Sequence, residues 1–304
     1  MKFGICLPIR LTAEASQNID IAVNAEELGF DSVWVSDHVV MPLKHRGAFS
    51  DVFYDPFTLL AYIAAGTSDI TLGTSVIILP YRNPVVVAKT IATLDVLSGG
   101  RVIFGVGPGW MREEFETLGV PINSRGRMTD EYINAVRELW CSEEPSFKGE
   151  FCSFSDIKFE PKPLQNPHPP IWIAGSSDYA VKRAATLGDG WQPTWVSPED
   201  VEAGISKLQN IAAKEGRDLE GYTYSVRNRV KIFDNPNQKE AYLADQPTDT
   251  PYALIGTVED IAGYVSRYRD LGVSHLVFDP AADSIEEIYN LMETLSGEII
   301  RDFR

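Results

Sequence analysis

Apolar strands and amphipathic helices alternate along nearly the whole of this 304-residue chain. Runs of β-branched and other apolar residues predict eight strands with helical segments between them. The strands begin at Lys2, Ser32, Ile70, Arg101, Ile171, Gly190, Tyr222 and His275. Eight β-α repeats in a chain of this length are typical of an α/β fold of the (β/α)8 TIM barrel type. A doubly wound parallel sheet is the alternative.

The segment from Asp69 to Trp110 is the most informative of these repeats. It predicts one buried strand from Ile70 to Leu79 and a second from Arg101 to Val106, because both runs are apolar without polar alternation. Asn83 and Pro84 stand at the cap and first position of the helix between them. Ligands bind where parallel strands end, so we expect the active site at the ends of these two strands.

Two stretches depart from the repeat. Between Ser142 and Pro170 phenylalanines alternate with polar residues and prolines recur, which predicts a small β-hairpin insertion at 142–170, after the fourth helix. The insertion is expected to lie within a single domain that spans residues 1–304. The stretch from Asp234 to Tyr252 is polar, holds three prolines and predicts a mobile loop.

Composition narrows the classes of function. The net charge of −16 argues against a nucleic-acid partner, which would need a basic face. The three cysteines lack paired spacing and have no histidine cluster nearby, which indicates a reducing compartment and no metal site. No apolar run reaches the roughly 18 residues of a membrane span, and Pro8 interrupts the N-terminus too early for a signal peptide. We therefore expect a cytoplasmic protein that binds neither nucleic acid nor membrane.

Glycines follow the strand that ends near Val106. Gly105, Gly107, Pro108 and Gly109 precede Trp110, so the sequence lacks the last glycine of a dinucleotide fingerprint, which argues against a Rossmann site. A tight barrel loop is the simpler interpretation, but it leaves the indole unexplained. Glycines let a backbone approach a flat ligand and an aromatic ring can stack on it, so the combination favours a planar cofactor.

Two further motifs follow strands. His38, preceded by Asp37, comes after the second strand and is a candidate catalytic residue, although a lone histidine is often structural. Gly175, Ser176 and Ser177 open a helix after the fifth strand, where free N–H groups and hydroxyls can bind an anion such as phosphate. Ser177 would equally serve as an ordinary helix cap. Whether Arg82 and Lys89 meet a phosphate tail or only solvent is left open.

Four ordered segments resemble the bacterial luciferase-like monooxygenase superfamily: Gly73–Pro84, Gly99–Trp110, Pro170–Ser177 and Gly188–Trp191. The resemblance runs from the first strand to the last helix and implies a barrel that binds FMN or the deazaflavin coenzyme F420 at its C-terminal mouth. Ser36–Val39 and Arg125–Glu131 look most like the F420-dependent branch.

The resemblance also implies roles for particular residues. Asp37 and His38 would line the deazaflavin ring, and Ser75-Val76 would form a non-proline cis peptide behind it. Gly107 and its neighbours would contact the ring edge or ribityl chain, and Gly175 to Ser177 the phosphate. Sugar-phosphate dehydrogenases of this branch carry a glutamate where Trp110 stands, which argues against a sugar-phosphate substrate here. Glu113 or Glu114 could replace that acid from the next helical turn, but both are expected to face solvent on a helix.

The leading hypothesis is an F420-dependent oxidoreductase that transfers a hydride between deazaflavin and a small organic substrate, with His38 carrying the proton. The first alternative is an FMN-dependent monooxygenase, in which reduced flavin captures oxygen as a C4a-peroxide. The second is a non-catalytic flavin-binding protein. A homodimer is expected from the family resemblance alone, because no stretch of the sequence identifies an interface.

Overall fold

The computed structural model of the protein describes residues 1–9, 11, 14–45, 50, 52–245 and 252–304. Its strands are β1 (Lys2–Cys6), β2 (Ser32–Val35), β3 (Thr71–Thr74), β4 (Ile77–Ile78), β5 (Val102–Gly107), β6 (Phe147–Lys148), β7 (Ser153–Phe154), β8 (Ile171–Ala174), β9 (Gly190–Gln192), β10 (Thr223–Ile232), β11 (Ala253–Gly256) and β12 (His275–Pro280).

Helices cover the outside of the sheet. They are α1 (Ala15–Glu27), α2 (Pro56–Gly66), α3 (Pro84–Leu97), α4 (Arg112–Thr117), α5 (Arg125–Cys141), α6 (Asp178–Leu187), α7 (Pro198–Lys214), α8 (Pro236–Ala244), α9 (Val258–Asp270), α10 (Ile285–Thr294) and α11 (Arg301–Phe303), with a π-helical turn at Leu295–Ile300. No helix in the described ranges is both long and apolar enough to cross a membrane.

Eight parallel strands close into a barrel in the order β1-β2-β3-β5-β8-β9-β10-β12, and β12 pairs back onto β1. The predicted (β/α)8 fold is therefore confirmed, and the doubly wound alternative is wrong. Several predicted helix starts are found as well. Asn83 accepts hydrogen bonds from the amides of Val85 and Val86 and so caps α3, with Pro84 at its first position.

Indole rings fill the lower part of the barrel. Trp34 and Trp172 stack with their ring centroids 5.2 Å apart, and the buried His275 meets both edge-on. The His275 Nε2 atom lies 2.8 Å from the Ser32 hydroxyl, which also accepts the indole N–H of Trp34 at 2.7 Å. Gly73 faces this cluster because a Cβ there would overlap the Trp34 ring. Side chains therefore fill the interior of the barrel below its upper end.

The third strand differs from its prediction. Instead of one strand from Ile70 to Leu79, β3 ends at Thr74 and β4 begins at Ile77, because a cis peptide bond joins Ser75 to Val76 and turns the chain between them. Both pieces still pair with β5. The cis bond expected from the family resemblance is therefore present.

The stretch from Asp234 to Tyr252 also differs. The predicted mobile loop contains a helix, α8, whose start is capped by Asn235. Residues 246–251, which belong to the same prediction, lie outside the described residues. The sequence analysis also missed β11, which pairs in parallel with the end of β10 outside the eight-stranded ring.

The insertion at 142–170 contains the predicted hairpin, in which β6 and β7 pair antiparallel. It is attached to the barrel through α5. The Glu131 carboxylate accepts hydrogen bonds from three successive amides of the hairpin turn, those of Glu150, Phe151 and Cys152. The Lys162 ammonium donates to the last carbonyls of α5 at Leu139. The segment therefore packs against the outer face of α5.

Candidate active site

The predicted site residues meet at one end of the barrel. All eight strands run in parallel, so the segments that follow β2, β3, β5 and β8 lie around the same opening. These segments carry Asp37 and His38, Ser75 and Val76, Gly105 to Trp110, and Gly175 to Ser177. The geometry thus brings every sequence-predicted residue to the mouth, although their contacts differ from those anticipated.

The cis turn at Ser75-Val76 forms part of the floor of this mouth. The Ser75 carbonyl accepts hydrogen bonds from the Arg227 guanidinium at 2.6 Å and the Ser36 hydroxyl at 3.2 Å. The Ser75 hydroxyl donates to Gln192 at 2.7 Å. Asp279 in turn binds Arg227 at 2.9 and 3.2 Å. Arg227 and Gln192 could not be predicted as site residues, because the pattern of a strand does not show which inward side chain will bind a turn.

Arg227 is a buried cation with a specific counter-ion. Burial alone would lower its pKa, but the charge and hydrogen bonds of Asp279 outweigh burial and raise it. Burial raises the pKa of the nearby Cys6 thiol to about 12, although the charge and hydrogen bond of Arg227 act to lower it. Arg227 therefore stays charged under the floor, whereas Cys6 stays a neutral thiol.

The glycines of β5 allow close packing behind the cis turn more than they line an open ligand cavity. A Cβ on Gly105 would overlap the carbonyl oxygen of Thr74, and one on Gly107 would lie 3.0 Å from a methyl group of Val76. These glycines let β5 pass close behind the cis turn. Gly109 has φ +77°, a conformation that favours glycine, and Pro108 before it is half-buried. Trp110 then points outward and is 58% exposed.

Asp37 is committed to an ion pair. Its buried carboxylate accepts two hydrogen bonds from Arg82, at 2.6 and 2.8 Å, and one from the amide of Ile78. Arg82 also reaches Asp55 at 3.3 Å. Burial lowers the pKa of Arg82, but its hydrogen bonds to Asp37 raise it overall. Arg82 and Lys89 were considered as partners of a phosphate or of solvent, and both have protein partners instead. Arg82 connects the loop after β2 to the start of α3. Lys89 donates to the carbonyl of Glu160.

His38 lies against a buried carboxylate. Its Nδ1 atom is 2.8 Å from Oε2 of Glu114, whose side chain has no solvent exposure. The same Oε2 accepts the hydroxyl of Tyr81 at 3.1 Å, and Oε1 accepts the amides of Val39 and Val40 at 2.9 and 3.3 Å. Burial would raise the pKa of Glu114, but these hydrogen bonds, that of His38 first, lower it overall.

The expectation that Glu113 and Glu114 both face solvent is therefore wrong for Glu114. Glu113 is partly exposed and pairs with Lys44, whereas Glu114 lies on the inner face of α4. A signal for this was present in the sequence. Met111, Glu114, Phe115 and Leu118 are spaced as one helical stripe, so an acidic residue stands where the pattern calls for an apolar one.

Strand β8 leads into the start of α6, where an anion could bind. Gly175 has φ +102°, and its carbonyl accepts the indole N–H of Trp191 at 2.8 Å, which fixes the turn. The Ser177 hydroxyl caps α6 by accepting from the amide of Ala180, and both Ser176 and Ser177 are exposed. Asp178 at the first position is paired with Lys207. The positive end of the helix dipole therefore faces solvent beside two hydroxyls.

Apolar side chains form the rim of the mouth. The exposed members that follow barrel strands are Val39, Val40, Leu43, Trp110 and Trp195. His45 meets Trp110 edge-on at 6.0 Å, and the guanidinium of Arg229 lies over the Trp195 ring at 5.6 Å. Large exposed apolar groups around an opening are typical of a ligand-binding surface.

The chain matches known proteins along most of its length. The family model described as luciferase-like monooxygenase matches residues 1–253. An F420-dependent glucose-6-phosphate dehydrogenase from Amycolatopsis mediterranei is 37% identical over 300 residues, which cover 86% of this chain and 87% of that protein. An FMNH2-dependent dimethylsulfone monooxygenase from Pseudomonas putida is 29% identical over 240 residues, covering 78% and 63% respectively.

The fold is also similar to that of a solved structure. The monooxygenase RslO1 from Streptomyces bottropensis superposes with a TM-score of 0.82 at 22% identity, over all of both chains, which establishes likeness of fold. The closed barrel, the cis peptide bond at Ser75-Val76 and the sequence matches are consistent with one family. The chain belongs to the luciferase-like monooxygenase family, whose members include F420-dependent and FMN-dependent enzymes, and it is an oxidoreductase.

Proposed function

We propose that this chain is a coenzyme F420-dependent oxidoreductase that transfers a hydride between the deazaflavin and a small organic substrate. The observation that carries the proposal is the position of His38 at the barrel mouth, held against a buried carboxylate. Oxidising an alcohol removes a proton together with a hydride, so a proton carrier is needed beside the reacting carbon. The 37% identity to an F420-dependent dehydrogenase supports the choice of cofactor.

The residues at the mouth fit a flat cofactor with a phosphate tail. Val76 and Gly107 would lie beside the ring system, with Asp37 fixing the loop that carries His38. Gly105 acts indirectly, because it lets β5 pack against the cis turn. Pro108, Gly109 and Trp110 would bound one side, and Ser176, Ser177 and the start of α6 would hold the phosphate. When bound, F420 supplies the ring carbon that accepts or gives up the hydride.

The mouth favours a substrate without a phosphate group. Two partly buried arginines there are each neutralised by a carboxylate, Arg82 by Asp37 and Arg227 by Asp279. Neither therefore offers an uncompensated charge to a phosphate. The exposed apolar rim fits an uncharged organic body instead. We therefore expect an alcohol, ketone or activated alkene to be turned over in preference to glucose 6-phosphate.

The alternative is an FMN-dependent monooxygenase. It is favoured by one observation, the 29% identity to an FMNH2-dependent enzyme over 78% of this chain. The same floor, rim and helix start would then hold FMN. The two readings differ in what the enzyme consumes, because only the alternative requires oxygen.

A pair of titrations separates these functions. The purified protein is titrated with F420 and with FMN, and turnover is followed with and without oxygen. We expect F420 to bind at least about tenfold more tightly than FMN, a difference of about 1.4 kcal/mol, and to turn over without oxygen. Tight FMN binding without F420 binding, together with oxygen uptake, would overturn the proposal.

A homodimer remains a prediction. The outer face of α2 exposes Tyr62 and no charged side chain, and α3 beside it exposes Val86, Val96 and Leu97. Lys89 is the one exposed charged side chain of α2 and α3, so this face is sparsely charged for a chain with a net charge of −16, and a second copy of this chain would cover it. Light scattering tests the dimer, and cell fractionation tests the expected cytoplasmic location.

A further inference from the structure

We propose that Glu114 is a positioning residue that fixes the tautomer of His38, so that Nδ1 carries the proton and Nε2 is the nitrogen that exchanges a proton with the substrate. The proposal rests on the proposed function in taking His38 as the proton carrier. The arrangement of hydrogen bonds around Glu114 can be worked out without that assumption.

The first step is the ionisation state of Glu114. Its oxygens meet four polar groups: the amides of Val39 and Val40 at Oε1, and the hydroxyl of Tyr81 with Nδ1 of His38 at Oε2. Amide N–H groups can only donate, so Oε1 must be an acceptor. The two amides and the Tyr81 hydroxyl donate to the carboxylate whatever the state of His38, and three donors favour its charged form; the pKa of Glu114 is lowered although the group is buried.

The second step follows from the first. An ionised carboxylate has no proton to give, so the 2.8 Å contact to His38 requires a proton on Nδ1. A neutral imidazole carries one proton, and Nε2 is therefore the basic nitrogen. A carboxylate that binds one ring nitrogen in this way selects the tautomer and the orientation of the ring.

The third step is the consequence for the reaction. When a substrate alcohol is oxidised, its carbon releases a hydride to the bound cofactor and its hydroxyl proton passes to Nε2. The substrate loses two electrons, which the cofactor gains, and the imidazole becomes positively charged. Glu114 faces that charge directly from Nδ1, so the carboxylate stabilises the protonated ring as well as orienting the neutral one.

Glu114 also connects the ring to the backbone that carries it. The amides of Val39 and Val40 directly follow His38, and both donate to Oε1. Phe53 packs edge-on against the imidazole, with ring centroids 4.8 Å apart. One side chain on α4 therefore sets the loop, the ring plane and the protonated nitrogen together.

The test is Glu114→Gln, with Glu113→Gln as the matched control. Glutamine keeps the shape and one accepting oxygen for the two amides, but it turns its NH2 donor toward Nδ1, which must then become an acceptor. The chain has four histidines, so selective ¹⁵N-histidine labelling resolves their ring nitrogens, and His38→Ala assigns the signal. We expect Nδ1–H in the wild type and in Glu113→Gln, and Nε2–H in Glu114→Gln.

The kinetic readout is a fall in kcat of about 100-fold for Glu114→Gln, the lower range for loss of a positioned acid-base group, with KM and F420 affinity within about twofold. Unchanged F420 binding shows that the variant is folded. Either of two results would overturn the proposal. One is a wild-type His38 protonated on Nε2, and the other is a Glu114→Gln variant that keeps the Nδ1–H tautomer and differs from the wild type only in a raised KM. If F420 supports no turnover, the proposed function fails, but the NMR result still decides the role of Glu114.

Discussion

Replacing Gly105 with alanine should damage the floor of the mouth far more than the same change at Gly107. Neither glycine has a left-handed φ, so alanine is allowed by the backbone and the effect is purely steric. A Cβ on Gly105 would overlap the Thr74 carbonyl oxygen and lie 3.1 Å from its carbon. The Cβ would lie 1.9 Å from that oxygen, whereas carbon and oxygen normally approach to about 3.3 Å, so the turn would have to move by roughly 1.4 Å.

This displacement sets the expected magnitude. The Thr74 carbonyl belongs to the backbone directly before the cis turn and cannot rotate aside, so the cost should lie at the upper end for overpacking, about 3 kcal/mol. For a chain of 304 residues that corresponds to a fall in Tm of roughly 5 °C. At Gly107 the Cβ would be 3.0 Å from a side-chain methyl of Val76, which can shift by a few tenths of an ångström. We expect less than about 1 kcal/mol there, partly offset by the lower entropy of the unfolded alanine chain.

The assay combines calorimetry with cofactor titration on both variants. Gly105→Ala should lower the Tm and weaken cofactor binding together, because the floor moves, whereas Gly107→Ala should retain most of both. Equal losses in the two variants, or an unchanged Tm for Gly105→Ala, would refute the assignment of these glycines to packing behind the cis turn.

Two further predictions concern buried charge. Burial lowers the pKa of His275 to about 3 from 6.5, so the unfolded chain takes up a proton first as the pH falls, and the free energy of unfolding should drop by about 2 kcal/mol from pH 7 to pH 5. Urea unfolding at both values checks this, and His275→Gln should flatten the dependence; an equal slope in the variant would contradict it. Asp37→Asn should cost about 3 kcal/mol by stranding Arg82, and Asp55→Asn, which removes a longer and more exposed contact, less than about 1 kcal/mol. Comparable losses in chemical denaturation would argue against a special role for the Asp37 pair.

The sequence was most informative where the structure is local. Asn83 and Pro84 mark the start of α3 because a cap and a fixed φ act within one helical turn. The interruption of the third strand at Ser75-Val76 has no local mark, since apolar β-branched residues continue on both sides. It was anticipated only through resemblance to a family.

The charged residues show the limit of sequence-based prediction more clearly. Arg82 was considered for a phosphate and is instead 45 positions along the chain from its partner Asp37. Glu114 was assigned to solvent and is 76 positions from His38. Both pairings depend on which strand ends are adjacent in the closed barrel. The helical stripe through Glu114 is a sequence signal for burial that could have corrected this expectation, but it does not indicate the partner of the carboxylate.

The rim and the interior of the protein differ in their tryptophan fluorescence. Four of the six indoles, Trp34, Trp140, Trp172 and Trp191, are at most 3% exposed, while Trp110 and Trp195 stand on the rim at 58% and 37%. Rim indoles in contact with water emit at longer wavelength and are open to quenchers, whereas the buried ones are shielded from both. A ligand that enters the mouth should therefore change the red edge of the emission spectrum most, with the blue edge serving as an internal reference within the same chain.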